Sequence, residues 1–487
     1  MKKEQKEKKR LTRDQIIALY QAGPEAVVSL IEYLQDEMDS LSSRLHALEV
    51  QNKTNSRNSS KPPSSDGMKK PPKQTRKPTG KKPGGQKGHT GTTLKMVETP
   101  DRIIEHEVDF CTHCGKDLSA SPAIDTQRRQ VFDIPPICVE VTEHRTETKR
   151  CSCCGELIEG QFPPEVTHPT QYGPRLKAIS LYLKNYALLP YERTAELFED
   201  LFGTPISVGT LTSINRRGGE RVEEVGERIK EALRSESVAH FDETGMRVCG
   251  KLNWLHVASS EKLTSYQVHP KRGGKAMEVM GILPFFKGTA VHDGWKSYFA
   301  YGCAHSLCNA HHLRELTCIH EEYGQEWAGG MIDFLLEVKA RRENSERQNF
   351  SESELEEFEK RYRSLVRKGL DANPSPERQK EKRRGRVKKS KPRNLLERLQ
   401  NHEKATLAFM YDFSVPFDNN RGERDIRMMK VQQKVSGTFR SEDGAQWFCA
   451  LRSYISTARK HGYNVMSTLQ DIFTDEKLLP QLGIQNS

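Results

Sequence analysis

Between Val238 and Asp293 the chain changes texture, and this change limits its fold more than any other feature. SVAHFDETGMRV, KLNWLHVASS and TSYQVHP predict three consecutive strands, rich in β-branched and aromatic residues. KAMEVMGIL predicts a helix, and KGTAVHDGWKSY a fourth strand that emerges at Asp293. After HSLCNAHHLREL the chain reads as helix almost to its end, including the acidic-faced SESELEEFEKRYRSLVRKG.

Three strands, a helix, a strand and then helices is the order of a ribonuclease-H-like α/β core. Alternation along VAHFDET puts Val238, His240 and Asp242 on one face and Phe241 on the other. Asp242 is expected at the end of its strand, and an acid at the end of a buried strand is costly unless something pairs with it. Asp293 ends the fourth strand and is followed by Gly294, which leaves room for close approach. The first and fourth strands of such a core are neighbours, so the two carboxylates can converge. Hard oxygen ligands with open positions suit Mg2+ (or Mn2+), and two such ions can drive phosphodiester chemistry without a covalent enzyme intermediate. Each aspartate also has a plainer reading, Asp242 as a strand-end residue bonded to backbone and Asp293 as a turn residue in HDGW, since Asp-Gly is a common turn pair.

A third acid, Glu423, stands in DNNRGERDIR, Asp418 to Arg427. Asn420 followed three residues later by Glu423 fits a helix capping box. The same glutamate, carried on a late helix, can close the carboxylate site from one side. The 129 residues between Asp293 and Glu423 read as a helical insertion.

Upstream, CTHCGK (Cys111, Cys114) and CSCCGE (Cys151, Cys154) supply two C-x2-C turns, the spacing of a four-thiolate structural Zn2+ site. Cys153 can replace Cys151 or Cys154 in that set. The strand-like RRQVFDIPPICVEVTEHRTET would carry one pair to the other, and Cys138, Cys249, Cys303, Cys318 and Cys449 read as ordinary buried thiols.

Val27, Ile31, Leu34, Met38, Leu41, Leu45 and Leu48 alternate in steps of four and three, the seam of a short coiled coil that favours self-association. YERTAELFEDLFGTPISVGTLTSINRRGG reads as two helices around a turn at Gly203 to Pro205, with Ser207 as cap and Arg216 and Arg217 ending the second. That suits a helix-turn-helix entering a major groove, or an ordinary helical hairpin.

The 487 residues exceed one compact core. Charge is uneven: the net is +11, residues 51–90 hold eleven Lys or Arg against one acid with six prolines, and residues 376–393 hold ten against two. These runs read as flexible linkers or loose phosphate contacts, and the balance points to a polyanionic partner. With 35% apolar residues and a mean hydropathy of -0.75, no window approaches a membrane span. MKKEQKEKKR lacks an apolar stretch behind it, so a soluble cytoplasmic protein is expected.

The expected organisation is multidomain: helices and a coiled coil over 1–50, a basic linker over 51–100, a zinc-knuckle domain over 101–165 and a helical DNA-binding region over 170–232. A ribonuclease-H-like core follows over 235–315 and 405–440, interrupted by a helical insertion over 316–404, with a helical C-terminal region over 441–487.

NSSKPPSSDG, KKPGGQKGHTG, the two cysteine knuckles, HFDETG, HDGWKSY and NNRGERDIRMMK, in this order, resemble transposases of the insertion-sequence-sixty-six family over nearly the whole chain. The resemblance implies a DDE transposase that recognises the terminal inverted repeats of its element, cuts there and transfers 3′ ends into target DNA with Mg2+. It implies Asp242, Asp293 and Glu423 as the triad, with Arg421, Arg424, Arg427 and Lys430 beside phosphates or balancing the acidic site. CNAHH echoes a family Cys-x2-His, here Cys308 and His311, which is only half of a metal ligand set; a structural or DNA-positioning role is expected, with an ordinary packed histidine as the alternative. Met428 and the run QQKV depart from many relatives, which bears on flanking DNA contacts more than on the triad. A homodimer or higher oligomer, accessory proteins of the same element and a bacterial or archaeal cell are further expectations. A zinc-dependent DNA-binding regulator with an inactive core is the alternative, and a host nuclease of this fold would leave the coil, knuckles and linker unexplained.

Overall fold

The computed structural model describes residues 12–53, 93–375 and 389–474, with positions 55, 58 and 478. Most of the linker expected over 51–100, and the basic run at 376–388, lie outside the described residues. The chain forms two compact units, one built mainly from residues 219–468 with the N-terminal residues 1–75, the other from 76–218 with 469–476.

In the first unit, α1 (Arg13–Gln21) opens on a capping box between Thr12 and Gln15. Pro24 then starts α2 (Pro24–Lys53), thirty residues long. Its seam residues Ile31, Leu34, Met38, Leu41, Leu45 and Leu48 are all exposed.

In the second unit, β1 (Thr148–Arg150) and β2 (Leu157–Glu159) form an antiparallel hairpin around the second cysteine pair. The long strand expected between the two pairs is absent. Residues 125–147 form no helix and pair with no strand, and Val131, Ile134 and Val141 lie open, because no neighbour accepts their ladder bonds. This also exposes Cys138, one of the thiols expected to be buried; Cys249 is exposed as well, at the turn after the first core strand, whereas Cys318 and Cys449 are buried.

Helices α3 (Pro174–Leu181), α4 (Tyr191–Phe202) and α5 (Val208–Arg221) follow. Gly203 ends α4 in the left-handed region, and Ser207 Oγ accepts Thr210 N–H at 3.0 Å as the cap of α5. Buried Asn185, which precedes α4, donates from Nδ2 to Asn215 Oδ1 on α5 at 2.7 Å. The second helix runs beyond Arg216 and Arg217, to Arg221; both arginines are exposed on its surface.

The first unit resumes with α6 (Glu223–Arg234) and a five-stranded sheet. β3 (Val238–Val248), β4 (Lys251–Ser259) and β5 (Thr264–His269) form an antiparallel meander. After α7 (Gly274–Met280), β6 (Thr289–His292) pairs parallel to β3, and β7 (Ala304–Leu307) parallel to β6. The order is β5-β4-β3-β6-β7. The fifth strand, four residues of AHSL, is too short to show alternation in the sequence.

A helical insertion then runs through α8 (Asn309–Tyr323), α9 (Glu326–Glu343), α10 (Glu352–Ala372), α11 (Lys391–Asn401), α12 (Glu403–Thr406) and α13 (Ala408–Tyr411). It has its own core, centred on Leu316, Trp327, Phe334, Phe358, Tyr362 and Leu396. The chain returns as α14 (Asn420–Ser436), which lies on β3 and β4, and α15 (Glu442–Lys460), whose Ser453 and Thr457 hydroxyls accept Tyr266 and Thr264 N–H on edge strand β5. α15 thereby covers an edge that would otherwise be free to pair. The short α16 (Val465–Asp471) follows. No helix among the described residues is long and apolar enough to cross a membrane.

Candidate active site

The parallel registers bring the two aspartates together. β3 pairs with β6 at an offset of 51 residues, Val238 opposite Thr289 and His240 opposite Val291; the same offset takes Asp242 to Asp293. β6 pairs with β7 at an offset of 15, His292 opposite Leu307, which takes Asp293 to Cys308. Continued in this way, the registers align Asp242 of β3 in a row with Asp293 and Cys308, the residues that directly follow β6 and β7. Asp242 is not at the end of its own strand. It sits in the middle of β3, one step beyond the last residues that β6 could pair.

The faces of β3 divide as alternation predicts. His240 Nδ1 meets Asn419 Oδ1 at 2.8 Å on the α14 side, while Phe241 packs edge-on to Phe286 on the other. Burial pushes the Asp242 carboxyl well above the usual carboxylate range; the negative charges of Glu243, Asp293 and Glu423 push it the same way. A carboxylate whose ionisation three other acids oppose is a position suited to a cation, which would reverse the balance.

Asp293 is held by a turn, as its second reading anticipates: Trp295 N–H donates to Oδ1 at 2.8 Å, and Gly294 has φ +88°, a conformation costly for side-chain-bearing residues. Gly294 N–H donates to His292 Nδ1 at 3.0 Å, so His292 carries its proton on Nε2, which faces His305 Nδ1 at 3.0 Å; His305 Nε2 in turn faces the Tyr301 carbonyl. One chain of hydrogen bonds thus fixes both tautomers and the turn that presents Asp293.

The insertion returns Glu423 to this row because its two ends are pinned together. Cys308 N–H donates to the His292 carbonyl, Asn309 N–H to the Phe417 carbonyl, and Asn419 N–H to Cys308 Sγ at 3.2 Å. The capping-box reading of Glu423 does not hold. The cap position of α14 is Asn419, one residue earlier than Asn420, so Glu423 is out of register for the box; Asp418 Oδ1 accepts Asn420 N–H instead. The Asn419 side chain serves the sheet, donating to the Phe241 carbonyl at 2.9 Å. A Cβ on Gly422 would stand 2.9 Å from Asn419 Oδ1, which explains the glycine just before Glu423.

Glu423 Oε1 lies 3.7 Å from His311 Nδ1 and 4.0 Å from Cys308 Sγ. These three ligand atoms all lie within 4.8 Å of one another, and theirs is the sole such group among the described residues. Glu423 is near enough to act on Asp242, but the three carboxylates do not form so tight a set.

Of the basic residues expected beside Glu423, Arg424 and Arg427 are exposed. Arg421 donates to the Ser260 carbonyl and Lys430 to the Gly245 carbonyl, so both are partly committed to the sheet. Asp425, not singled out from sequence, locks α14 down: it accepts Ser259 Oγ at 2.5 Å and Lys460 Nζ at 2.8 Å. Sequence reasoning also missed Glu243, which bonds Tyr298 and pairs with Arg272 at 2.7 Å, whose guanidinium lies over Trp295. The acid beside Asp242 in HFDETG was the available signal.

Burial lowers His240 and His256 to about 4 and His292 to about 3. In that window the unfolded chain binds protons that the folded one refuses, so stability rises with pH. Stability is fully present above the unfolded histidine value near 6.5 and is lost as pH falls towards about 4, by on the order of 3 kcal/mol for His240. Urea unfolding across this range should show the loss, and His240→Gln should flatten part of it; an unchanged slope would contradict the buried neutral imidazole.

The two knuckles repeat one geometry. Cys111 N–H donates to the Lys116 carbonyl and Gly115 N–H to the Cys111 carbonyl; Cys151 with Glu156 and Gly155 does the same, and both glycines have positive φ. Cys154 thus matches Cys114, and Cys153 matches His113. Backbone N–H groups of His113 and Cys114 lower the Cys111 thiol, and those of Cys154 and Cys153 lower Cys151, which favours the thiolates that metals bind. The four sulfurs are not gathered within 4.8 Å of one another.

These features agree with the matches to known families. The model described as Transposase IS66 family matches residues 169–447, the zinc-finger binding domain of transposase IS66 matches 109–155, and a family of unknown function (DUF6444) matches 4–95. Among curated proteins nothing matches. The zinc-finger match spans all four knuckle cysteines, and the transposase match takes in 279 of the 487 residues, the whole sheet, the insertion and α14. The chain belongs to the IS66 transposase family.

Proposed function

We propose that the protein is a DDE transposase that binds the terminal inverted repeats of its insertion sequence, cleaves at them and joins the 3′ ends to target DNA. The observation that carries this reading is the β3–β6 offset, which continued past its last pair sets Asp242 opposite Asp293, with the Asp293 and Glu423 charges acting on the Asp242 carboxyl. The strand order, an antiparallel meander followed by two parallel strands, supports a ribonuclease-H-like core. Asp242, Asp293 and Glu423 would hold Mg2+ or Mn2+, which activate the attacking hydroxyl and stabilise the departing oxygen. The chain's own part is to set the two aspartates at a fixed spacing through the sheet and to deliver Glu423 from α14. Arg424 and Arg427, exposed on the first turns of that helix, suit phosphate contacts, with Arg421 and Lys430 beside them.

Arg216 and Arg217, exposed on α5, support a second DNA contact through the helical hairpin, and Cys111, Cys114, Cys151 and Cys154 would share one Zn2+. The exposed seam of α2 supports a coiled coil with a second copy; Leu34→Lys with Leu41→Lys should halve the mass seen in light scattering, and an unchanged mass would remove the coil from the assembly. Accessory proteins of the element and action on DNA in the cytoplasm of a bacterial or archaeal cell complete the reading.

The test is strand transfer with purified protein, Mg2+ and labelled DNA carrying the element's ends. Joined product supports the reading. End binding without cleavage or joining would favour a regulator with an inactive core.

A further inference from the structure

Beside the carboxylate row lies a ligand set of different chemistry. Cys308 is the cap residue of α8 and His311 stands one turn along it, so Sγ and the imidazole share a side. Glu423 reaches them from the first turn of α14. His311 Nδ1 is shielded from solvent and has no hydrogen-bond partner, although its position beside Glu423 Oε1, 3.7 Å away, is fixed by two helices. A buried imidazole nitrogen without a hydrogen-bond partner needs an explanation, and the lone pair of a neutral imidazole beside a thiol and a carboxylate is suited to ligate a metal.

We infer that Cys308, His311 and Glu423 form a second metal site, of the zinc class, separate from the knuckles and softer than the carboxylate site. Tetrahedral zinc sets ligand atoms roughly 3.3 to 3.7 Å apart. The observed 3.7 Å and 4.0 Å need only a small inward movement to reach that spacing. Thiolate and imidazole select zinc over magnesium, whereas the aspartate oxygens select the reverse. Three protein ligands leave a fourth position for water. An ion seated there would fix one oxygen of Glu423 and leave the other directed by the same side chain, so Cys308 and His311 act as positioning residues for the glutamate. The inference goes beyond the DNA chemistry proposed above and does not depend on it, because metal content is read without DNA.

The experiment is a zinc count on the full chain, purified reduced and dialysed against metal-free buffer. The parent should hold about two zinc ions per chain, one in the knuckles and one here. Cys308→Ala and His311→Gln should each hold about one, and Asp242→Asn about two. With cobalt in place of zinc, the Cys111→Ser, Cys151→Ser double variant should keep a thiolate-to-cobalt absorption that adding Cys308→Ala abolishes. His311→Gln leaves the Cys308 packing in place and decides the matter if Cys308→Ala does not fold. Equal zinc in the parent and His311→Gln overturns the site. Loss of strand transfer in every preparation with the zinc step intact would count against the transposase reading and leave the site standing.

Discussion

Asp242→Asn, Asp293→Asn and Glu423→Gln should each lower end cleavage and strand transfer on the order of 10³-fold or more, the scale on which removing one preorganised charge stabiliser acts. Each change keeps the shape of the side chain and removes only its charge. Binding to labelled ends should therefore persist in all three, and a gel shift run beside the joining assay separates chemistry from recognition. Asp242→Asn carries a second expectation of opposite sign. Because burial and three neighbouring acids hold this carboxyl well above its usual range, ionising it in the folded state is unfavourable. The amide should raise the midpoint of thermal unfolding while joining is lost. A variant that joins ends as well as the parent, or an Asp242→Asn protein both inactive and unfolded, would remove the basis for assigning Asp242 to chemistry.

Glu423 separates two readings that the sequence leaves together. A capping glutamate would cost helix stability when changed to Ala and little else, typically about 1 kcal/mol. In the structure the cap position is Asn419, and Glu423 faces Cys308 and His311, so Glu423→Gln should leave stability near the parent value and act on chemistry.

The meander, the fourth strand and the late helix were legible because each is local: alternation and periodicity span fewer than twenty residues. The approach of Asp242 to Asp293 was legible only through the assumed strand order, since the β3–β6 offset of 51 residues has no local signature. β7 escaped notice because four residues cannot show a period, and with it the position of Cys308 beside Asp293. The start of the late helix, read from Asn420, falls one residue out for a related reason. An asparagine before a helix is ordinarily a cap, and nothing in the sequence says that His240 and the Phe241 carbonyl, some 178 residues away, take its amide instead. Long-range hydrogen bonds of this kind decide which residues meet at the site, and they override the local preference. The strand expected between the cysteine pairs failed in the opposite sense. Its β-branched residues fit a strand, but a strand needs a partner, and none of the described residues supplies one.

That last failure leads to the knuckles. Residues 93–160 form two short hairpin tips and little apolar packing; Ile124 is fully exposed, and Val131 and Val141 nearly so. A segment this size without a core needs a staple, and two C-x2-C turns with matched backbone geometry would supply one by holding the proposed Zn2+. Because the site does not exist in the unfolded chain, zinc affinity there becomes folding free energy, about 10 to 16 kcal/mol in isolated zinc modules. Chelation, or Cys111→Ser with Cys151→Ser, should therefore abolish protection of backbone amides from hydrogen exchange around Cys111–Lys116 and Cys151–Glu156. Amides of the sheet, such as those of β3 and β4, should keep theirs, since the sheet is held by its own ladder and by α14 and α15. Exchange that is unchanged at both knuckles after the thiolates are removed would mean that their turns stand without metal. Cys153→Ser should be neutral in the same measurement, because the repeated turn sets Cys154, and not Cys153, in the place that Cys114 occupies in the first knuckle.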